Sequence, residues 1–245
     1  LENNFKISLE KLVEVINSKT KWLILNSPGN PSGAVYTWDE LSALSKVLMN
    51  YPQINILCDD IYEKIIFDGK KFQTLAEVAP NLIDRILTVN GFSKSYAMTG
   101  WRIGYAAGHH ELIEAMIKLQ GQSTTNASSI GQEAAIAALD ADQTFLNDWL
   151  SMYTKRRDIV SNCLENSFKG SFNNPEGAFY HFISCRELFG KKFNGINTIN
   201  NDRDFCQFLL EKFGVAVVPG SEFGTPGYFR LCFAKSENDL RNACQ

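Results

Sequence analysis

The stretch GFSKSYAMTGWRIGY, from Gly91 to Tyr105, sets one lysine among small residues, eight positions before an arginine. An amine attacks carbonyls when burial or a neighbouring cation keeps part of it unprotonated. Ser93, Ser95 and Ala97 leave room beside Lys94 and Arg102 supplies positive charge, so imine chemistry with an aldehyde is within reach. Arg102 itself carries a planar fork of donors suited to a phosphate or a carboxylate. Upstream, Asp59 closes an apolar run, where a carboxylate is costly unless something cationic answers it. Tyr62 lies three residues on, where one helical turn would put its phenol on the same side as Asp59. Taken singly, each has a plainer explanation. A loop lysine is ordinarily solvated, and an aspartate after a strand ordinarily caps a helix or joins a salt bridge.

Together with Asn30 they match one ligand. Lys94 would bond an aldehyde, Asp59 would keep a ring nitrogen protonated, Asn30 and Tyr62 would flank a ring oxygen, and Arg102 would clamp a phosphate. A cofactor with all of these groups is pyridoxal phosphate.

The elements that must position these side chains are legible as apolar runs. Lys21–Asn26, Ile54–Cys58, Ile86–Val89 and Ile103–Ala107 read as short buried strands, with a helix over Asp39–Asn50 whose Thr37 and Glu40 have capping-box spacing. Short apolar strands separated by helices predict an α/β layer with a mostly parallel sheet. Ligands on such sheets gather beyond the carboxyl ends of the strands, and Asn30, Asp59 and Lys94 all follow strands. Helices over Glu111–Leu119, Ser129–Ala141 and Thr144–Phe168 come next. Beyond Gly170 the pattern becomes α+β, with an alternating strand Ala178–Ile183, a polar loop Lys191–Asn201, a helix Arg203–Phe213, and strands Val215–Val218 and Tyr228–Phe233. Residues 1–143 are thus expected to form the C-terminal part of a large cofactor-binding domain. A long helix would join it to a small C-terminal domain over 144–245.

The segment Gly91-Phe92-Ser93-Lys94 with Ala97-Met98-Thr99-Gly100-Trp101-Arg102-Ile103-Gly104 resembles the lysine signature of the class I aminotransferases. Four further stretches match that family in order: Asn26–Gly33, Asp59–Tyr62, Pro175–Tyr180 and Val217–Gly224, followed by Tyr228–Ala234. The resemblance runs from about Lys21 to the end. It implies fold type I of the pyridoxal-phosphate-dependent transferases, and within it the bacterial-type aspartate aminotransferase subgroup. On the family pattern Lys94 carries the cofactor and moves the substrate's α-proton, Asp59 protonates the pyridine nitrogen, and Asn30 and Tyr62 tune the ring oxygen. Arg102 would hold the phosphate. Arg230 would bind the substrate α-carboxylate, with Asn30 beside it. The implied reaction moves the amino group of an amino acid, aspartate foremost, to a 2-oxo acid in two half-reactions at one site. Prephenate, an aromatic or alanine-type substrate, a β-lyase reaction, or a catalytically silent regulatory relative are the alternatives. The resemblance also implies a homodimer. It places the side-chain-reading pocket upstream of Leu1, so we expect an N-terminally truncated chain, poorly soluble or inactive in isolation. Gly91 stands where some relatives have a phosphate-binding serine.

Composition excludes other classes. With 245 residues, 44% hydrophobic and 21% charged, the chain reads as globular, and its net charge of -3 argues against nucleic-acid or membrane-surface partners. No apolar run approaches the ~20 residues that span a bilayer. Six cysteines (58, 163, 185, 206, 232 and 244) fit no zinc spacing, no metal is expected, and a reducing cytoplasm is the expected compartment. His109, His110 and His181 are read as structural, and Lys155-Arg156-Arg157 as a solvated helix face.

Overall fold

The computed structural model describes residues 3–168, 170–192 and 198–245. The chain divides into two units, residues 1–29 with 34–147 and residues 30–33 with 148–245.

In the first unit a four-stranded sheet runs in the order β1 (Trp22–Asn26), β2 (Asn55–Asp59), β3 (Ile86–Gly91), β4 (Gly104–Ala107). The first three strands are parallel, in the register Asn26↔Asp59 and Asp59↔Val89. Strand β4 returns antiparallel to β3, with Gly91 opposite Gly104. One face is covered by α1 (Leu9–Val15) and α2 (Trp38–Met49), which bury Leu12, Leu41, Leu44 and Leu48 against Leu25, Ile56, Cys58 and Ile86. Helix α2 starts where its capping box requires: Thr37 Oγ1 accepts from Glu40 N while the Glu40 carboxylate accepts from Thr37 N at 2.8 Å. Lys6 pairs with Glu40 at 2.8 Å and Tyr36 Oη accepts from Ile7 N at 2.7 Å, fastening the segment before α1, a helix the sequence pattern did not suggest. A short helix α3 (Leu75–Val78) precedes β3. Helices α4 (His110–Gly121) and α5 (Ser129–Asp140) follow β4. A second cluster of Phe92, Tyr96 and Ala135 packs with Ile103, Phe145 and Leu146.

Helix α6 (Phe145–Ser167) leads into the second unit, whose sheet is antiparallel in the order β5 (Tyr180–Ser184), β7 (Tyr228–Cys232), β6 (Val218–Pro219). Helices α7 (Asp202–Phe213) and α8 (Glu237–Ala243) complete it. Its core is aromatic: the Phe205 and Phe229 rings lie 5.1 Å apart and Phe168 meets Phe229 edge-on at 5.8 Å.

Three expectations are corrected. The strand expected at Val215–Val218 reduces to Val218–Pro219, because Gly214 ends α7 in the left-handed region and Val215 N donates to Leu209 O at 3.2 Å. That donor closes the helix and is spent for sheet pairing. Strand β5 does not alternate; all five of its residues are buried, His181 against Phe172 and Phe233 and Phe182 against Phe223 and Tyr228. Arg157 is no part of a solvated face: it is buried and pairs with Asp158 at 2.9 Å. Of the polar loop Lys191–Asn201, residues 193–197 lie outside those described.

Candidate functional site

Parallel pairing of β1, β2 and β3 brings their carboxyl ends to one rim, and the antiparallel return of β4 adds a fourth chain crossing to it. Asp59 is the last residue of β2, Lys94 follows the end of β3, and Arg102 stands two residues before β4 begins. Had β4 run parallel, its first residues would lie at the opposite edge. Direction of one strand therefore decides whether Arg102 can share a ligand with Lys94.

The lysine loop is held from both flanks. Phe92 and Tyr96 are buried with ring centroids 5.4 Å apart, while half-buried Lys94 lies between them in sequence. Ala97 N donates to Lys94 O at 3.2 Å and Met98 N to Phe92 O at 3.1 Å. Ser95 Oγ donates to Ile61 O at 3.2 Å and accepts from Lys64 N at 3.4 Å, so the residue next to Lys94 bonds the segment bearing Asp59 and Tyr62. Ala97 and Arg102 both have φ of 53°, a conformation costing a non-glycine residue about 1–2 kcal/mol. Arg102 Nη1 donates to Thr99 O at 3.0 Å. Gly91 sits close against β4: a Cβ there would lie 3.0 Å from Gly104 Cα. A serine at that position would be a tight fit, needing its neighbours on β4 to give by a few tenths of an ångström.

The Asp59 carboxylate accepts from Ile61 N at 3.3 Å, and its backbone carbonyl accepts from Asn26 Nδ2 at 2.9 Å. Burial raises its pKa, against the small opposing pull of the Ile61 N–H. An anion so placed is stabilised by a facing cation, which is what a protonated ring nitrogen would offer. Residues 61–64 form a turn rather than a helix, and Tyr62 is 3% exposed.

Asp60 is buried beside them, and burial together with Glu63 and Asp59 pushes its carboxyl up to about 7. Its folded-state value lies above the ordinary 3.8, so the unfolded chain releases this proton first as pH rises. Stability contributed by the protonated group is therefore lost between about pH 4 and about pH 7, and levels off above. Asp60→Asn should flatten that decline, raising the apoprotein's melting temperature at pH 8 by several degrees relative to pH 5. Asp59, also raised, leaves a residual slope of the same sign. Superimposable melting-temperature profiles for the two proteins would refute the assignment.

In the second unit, Arg230 lies on β7 opposite Phe182 and Val218. Its guanidinium lies 4.5 Å from the Tyr180 ring centroid and 5.0 Å from that of Phe223. Nη1 donates to Asn30 Oδ1 at 2.8 Å, while Nε is buried without a partner. A buried unpaired guanidinium N–H is costly, and a carboxylate would satisfy it. Asn30 is fixed through its loop: Gly33 O accepts from Glu176 N and Gly177 N, both at 2.9 Å. Gly33 has φ of 68° and a Cβ there would meet Gly177 O at 2.9 Å, so glycine is required. The Asn-Pro-Ser-Gly and Pro-Glu-Gly-Ala motifs are two halves of one support.

Sequence reasoning named Lys94, Asp59, Tyr62, Arg102, Asn30 and Arg230, saw Ser95 only as a small neighbour of the lysine, and gave no role to Tyr180 or Phe223. The two rings lie inside the quoted motifs, which was the available signal. His181 is fully buried, 3.4 Å from Ser161 Oγ, and burial lowers its pKa to about 4, keeping the ring neutral. Among the described residues no group of three His, Cys, Asp or Glu side chains could hold a metal, and no helix is long and apolar enough to cross a membrane.

Comparison with known proteins agrees across the chain. A probable aspartate/prephenate aminotransferase of Rickettsia bellii is 51% identical over 244 residues, covering 100% of this chain and 61% of the relative. The crystal structure of the aspartate aminotransferase from Rhizobium meliloti superposes with a TM-score of 0.96 at 46% identity, covering 100% of this chain and 61% of that one. A double mutant of the Thermus thermophilus aspartate aminotransferase gives 0.88 at 36%, covering 99% and 60%. The chain spans about three fifths of the length of these relatives. With the class I and II aminotransferase family model matching residues 1–245, the chain belongs to the class I and II aminotransferases, with the fold type I architecture of its structural neighbours.

Proposed function

We propose that the protein carrying this chain transfers the amino group of aspartate to a 2-oxo acid, with pyridoxal phosphate as cofactor. The observation that supports this most is the shared rim of Asp59, Lys94 and Arg102, which matches a ligand offering a ring N–H, an aldehyde and a phosphate. When bound, that cofactor supplies an electron-accepting ring to the reacting Cα. The protein's own groups do the rest. Lys94 would take the proton from the substrate Cα and pass it to the carbon of the cofactor's aldehyde group, Asp59 would keep a proton on the ring nitrogen, and Tyr62 and Asn30 would hold the ring oxygen. Arg102 grips the phosphate, and Arg230 binds the substrate α-carboxylate. We assign residues 1–143 to the large domain and 144–245 to the small one. We further propose a cytoplasmic homodimer, supported by apolar side chains exposed on α4 and α5, such as Leu119 (74%) and Ile130 (72%). Prephenate is a second acceptor in this reading, supported by the name of the Rickettsia bellii relative.

The test is steady-state kinetics of the full-length, cofactor-loaded protein with aspartate and 2-oxoglutarate. Parallel double-reciprocal lines are expected, since two half-reactions share one site. Prephenate, phenylalanine and alanine run beside them identify the preferred pair. Cofactor uptake without any amino transfer would replace this proposal by the regulatory alternative, and elimination from β-substituted amino acids by the β-lyase.

A further inference from the structure

Helix α7 opens on a carboxylate that is not where a first-turn aspartate ordinarily lies. Asp202 is 1% exposed, and both its oxygens cross to the turn between β6 and β7. Oδ2 accepts from Ser221 N at 2.7 Å, while Oδ1 accepts from Ser221 Oγ at 2.8 Å and Gly227 N at 3.3 Å. Burial works against this anion, but the Ser221 and Gly227 donors outweigh it and hold the carboxyl below its usual range. The helix itself is capped without it, by Asn201 Oδ1 accepting from Asp204 N at 2.9 Å. The turn so gripped, residues 221–227, carries Phe223, whose ring lies 5.0 Å from the Arg230 guanidinium and meets Phe182 edge-on at 6.1 Å. Arg203 and Glu222 add an ion pair at 2.9 Å across the same junction, exposed on both sides and so of little weight.

We propose that Asp202 is a positioning residue for substrate carboxylate binding: by tying Ser221 and Gly227 to α7 it fixes Phe223, and Phe223 fixes the direction of the Arg230 fork. This rests on the reading of Arg230 as the carboxylate ligand. Tyr180 bounds the guanidinium from β5 at 4.5 Å and Asn30 holds Nη1, so the Phe223 contact is set by a turn outside the sheet. A turn is more readily displaced than a strand. Asp202 is what makes it as rigid as one.

The experiment compares wild type, Asp202→Asn, Phe223→Leu and the double variant in the full-length, cofactor-loaded protein. The readouts are Kd for maleate (an unreactive dicarboxylate) by calorimetry, KM and kcat for aspartate, and melting temperature. Each single variant should raise Kd and KM about tenfold with kcat within twofold, the pattern of misaimed but otherwise intact binding. The double variant should be no worse than either single one, since both act through one contact. Ser221→Ala, which keeps the backbone N–H bond, should raise Kd by about two- to threefold, and decides the matter where Asp202→Asn does not fold. A lower melting temperature with unchanged Kd would make Asp202 purely structural, and fully additive effects would break the link to Phe223. Either result overturns the inference. Arg230→Lys run alongside separates the two readings: if it leaves maleate binding intact, the functional reading fails first.

Discussion

Lys94→Ala should lower turnover by about 10²–10⁴-fold, the range set by loss of a positioned proton-transfer group. It should also abolish the visible absorption band that cofactor produces in the full-length protein. Fold should survive, because buried Phe92 and Tyr96 and the Ser95 bond to Ile61 O remain to anchor the segment. Lys94→Arg sharpens the test. It keeps the positive charge at the rim, yet a guanidinium stays protonated at any working pH and cannot accept a proton from carbon. We expect the arginine variant to be as impaired as the alanine one. If it retained more than a tenth of wild-type turnover, Lys94 would be contributing charge alone, and the proton-moving group would have to be sought elsewhere on the rim.

Arg230 gives the second large effect, with a different kinetic signature. Removing one partner of a hydrogen-bonded charge pair costs about 2–5 kcal/mol, so Arg230→Ala should reduce kcat/KM for amino and oxo acid alike by roughly 30- to 5,000-fold. Arg230→Lys should recover little. The contacts with Tyr180 at 4.5 Å and Phe223 at 5.0 Å, and the Nη1 bond to Asn30, suit a planar fork and give a rounded ammonium much less. On the proposed function both half-reactions use the same carboxylate ligand, so KM should rise for both substrates. A rise confined to one of them would mean that Arg230 reads a side chain instead of the α-carboxylate.

Much of this arrangement could be read from residue order, because the signals involved are local. The α2 capping box needs only Thr37 and Glu40 three residues apart, and the strand ends at Asn26 and Asp59 are abrupt changes from apolar to polar. Residue types at the rim were legible for the same reason. What escaped depends on long-range pairing. The apolar run before Ala107 carries no mark of its direction, so the antiparallel course of β4 appears only through the Gly91↔Gly104 register. Ser95 has an ordinary hydroxyl until β2 and β3 are adjacent and Ile61 O comes within reach. Tyr180 and Phe223 become the neighbours of a guanidinium only when Phe182 stands opposite Arg230. Arg157 misled because a triplet of cations looks solvated, whereas the pair with Asp158 lets one of them go inside. For β4, Ser95 and the two rings a local rule was obeyed and a distant partner changed its meaning, whereas Arg157 pairs with its immediate neighbour.

The hairpin that carries Lys94 and Arg102 has a kinetic consequence. On the proposed assignment, the cofactor's aldehyde and phosphate ends are gripped by one short loop, residues 92–103, closed at its base by β3 and β4. The ligand is then a crosslink within a loop that the protein has already closed, as a chelate ring is closed by a second donor. Letting go of one end leaves the other in place, and the freed end finds its partner again before the ligand can diffuse off. Residence time would be governed by the rarity of simultaneous release, which makes the cofactor a slow-leaving structural member of the rim as much as a reagent passing through it.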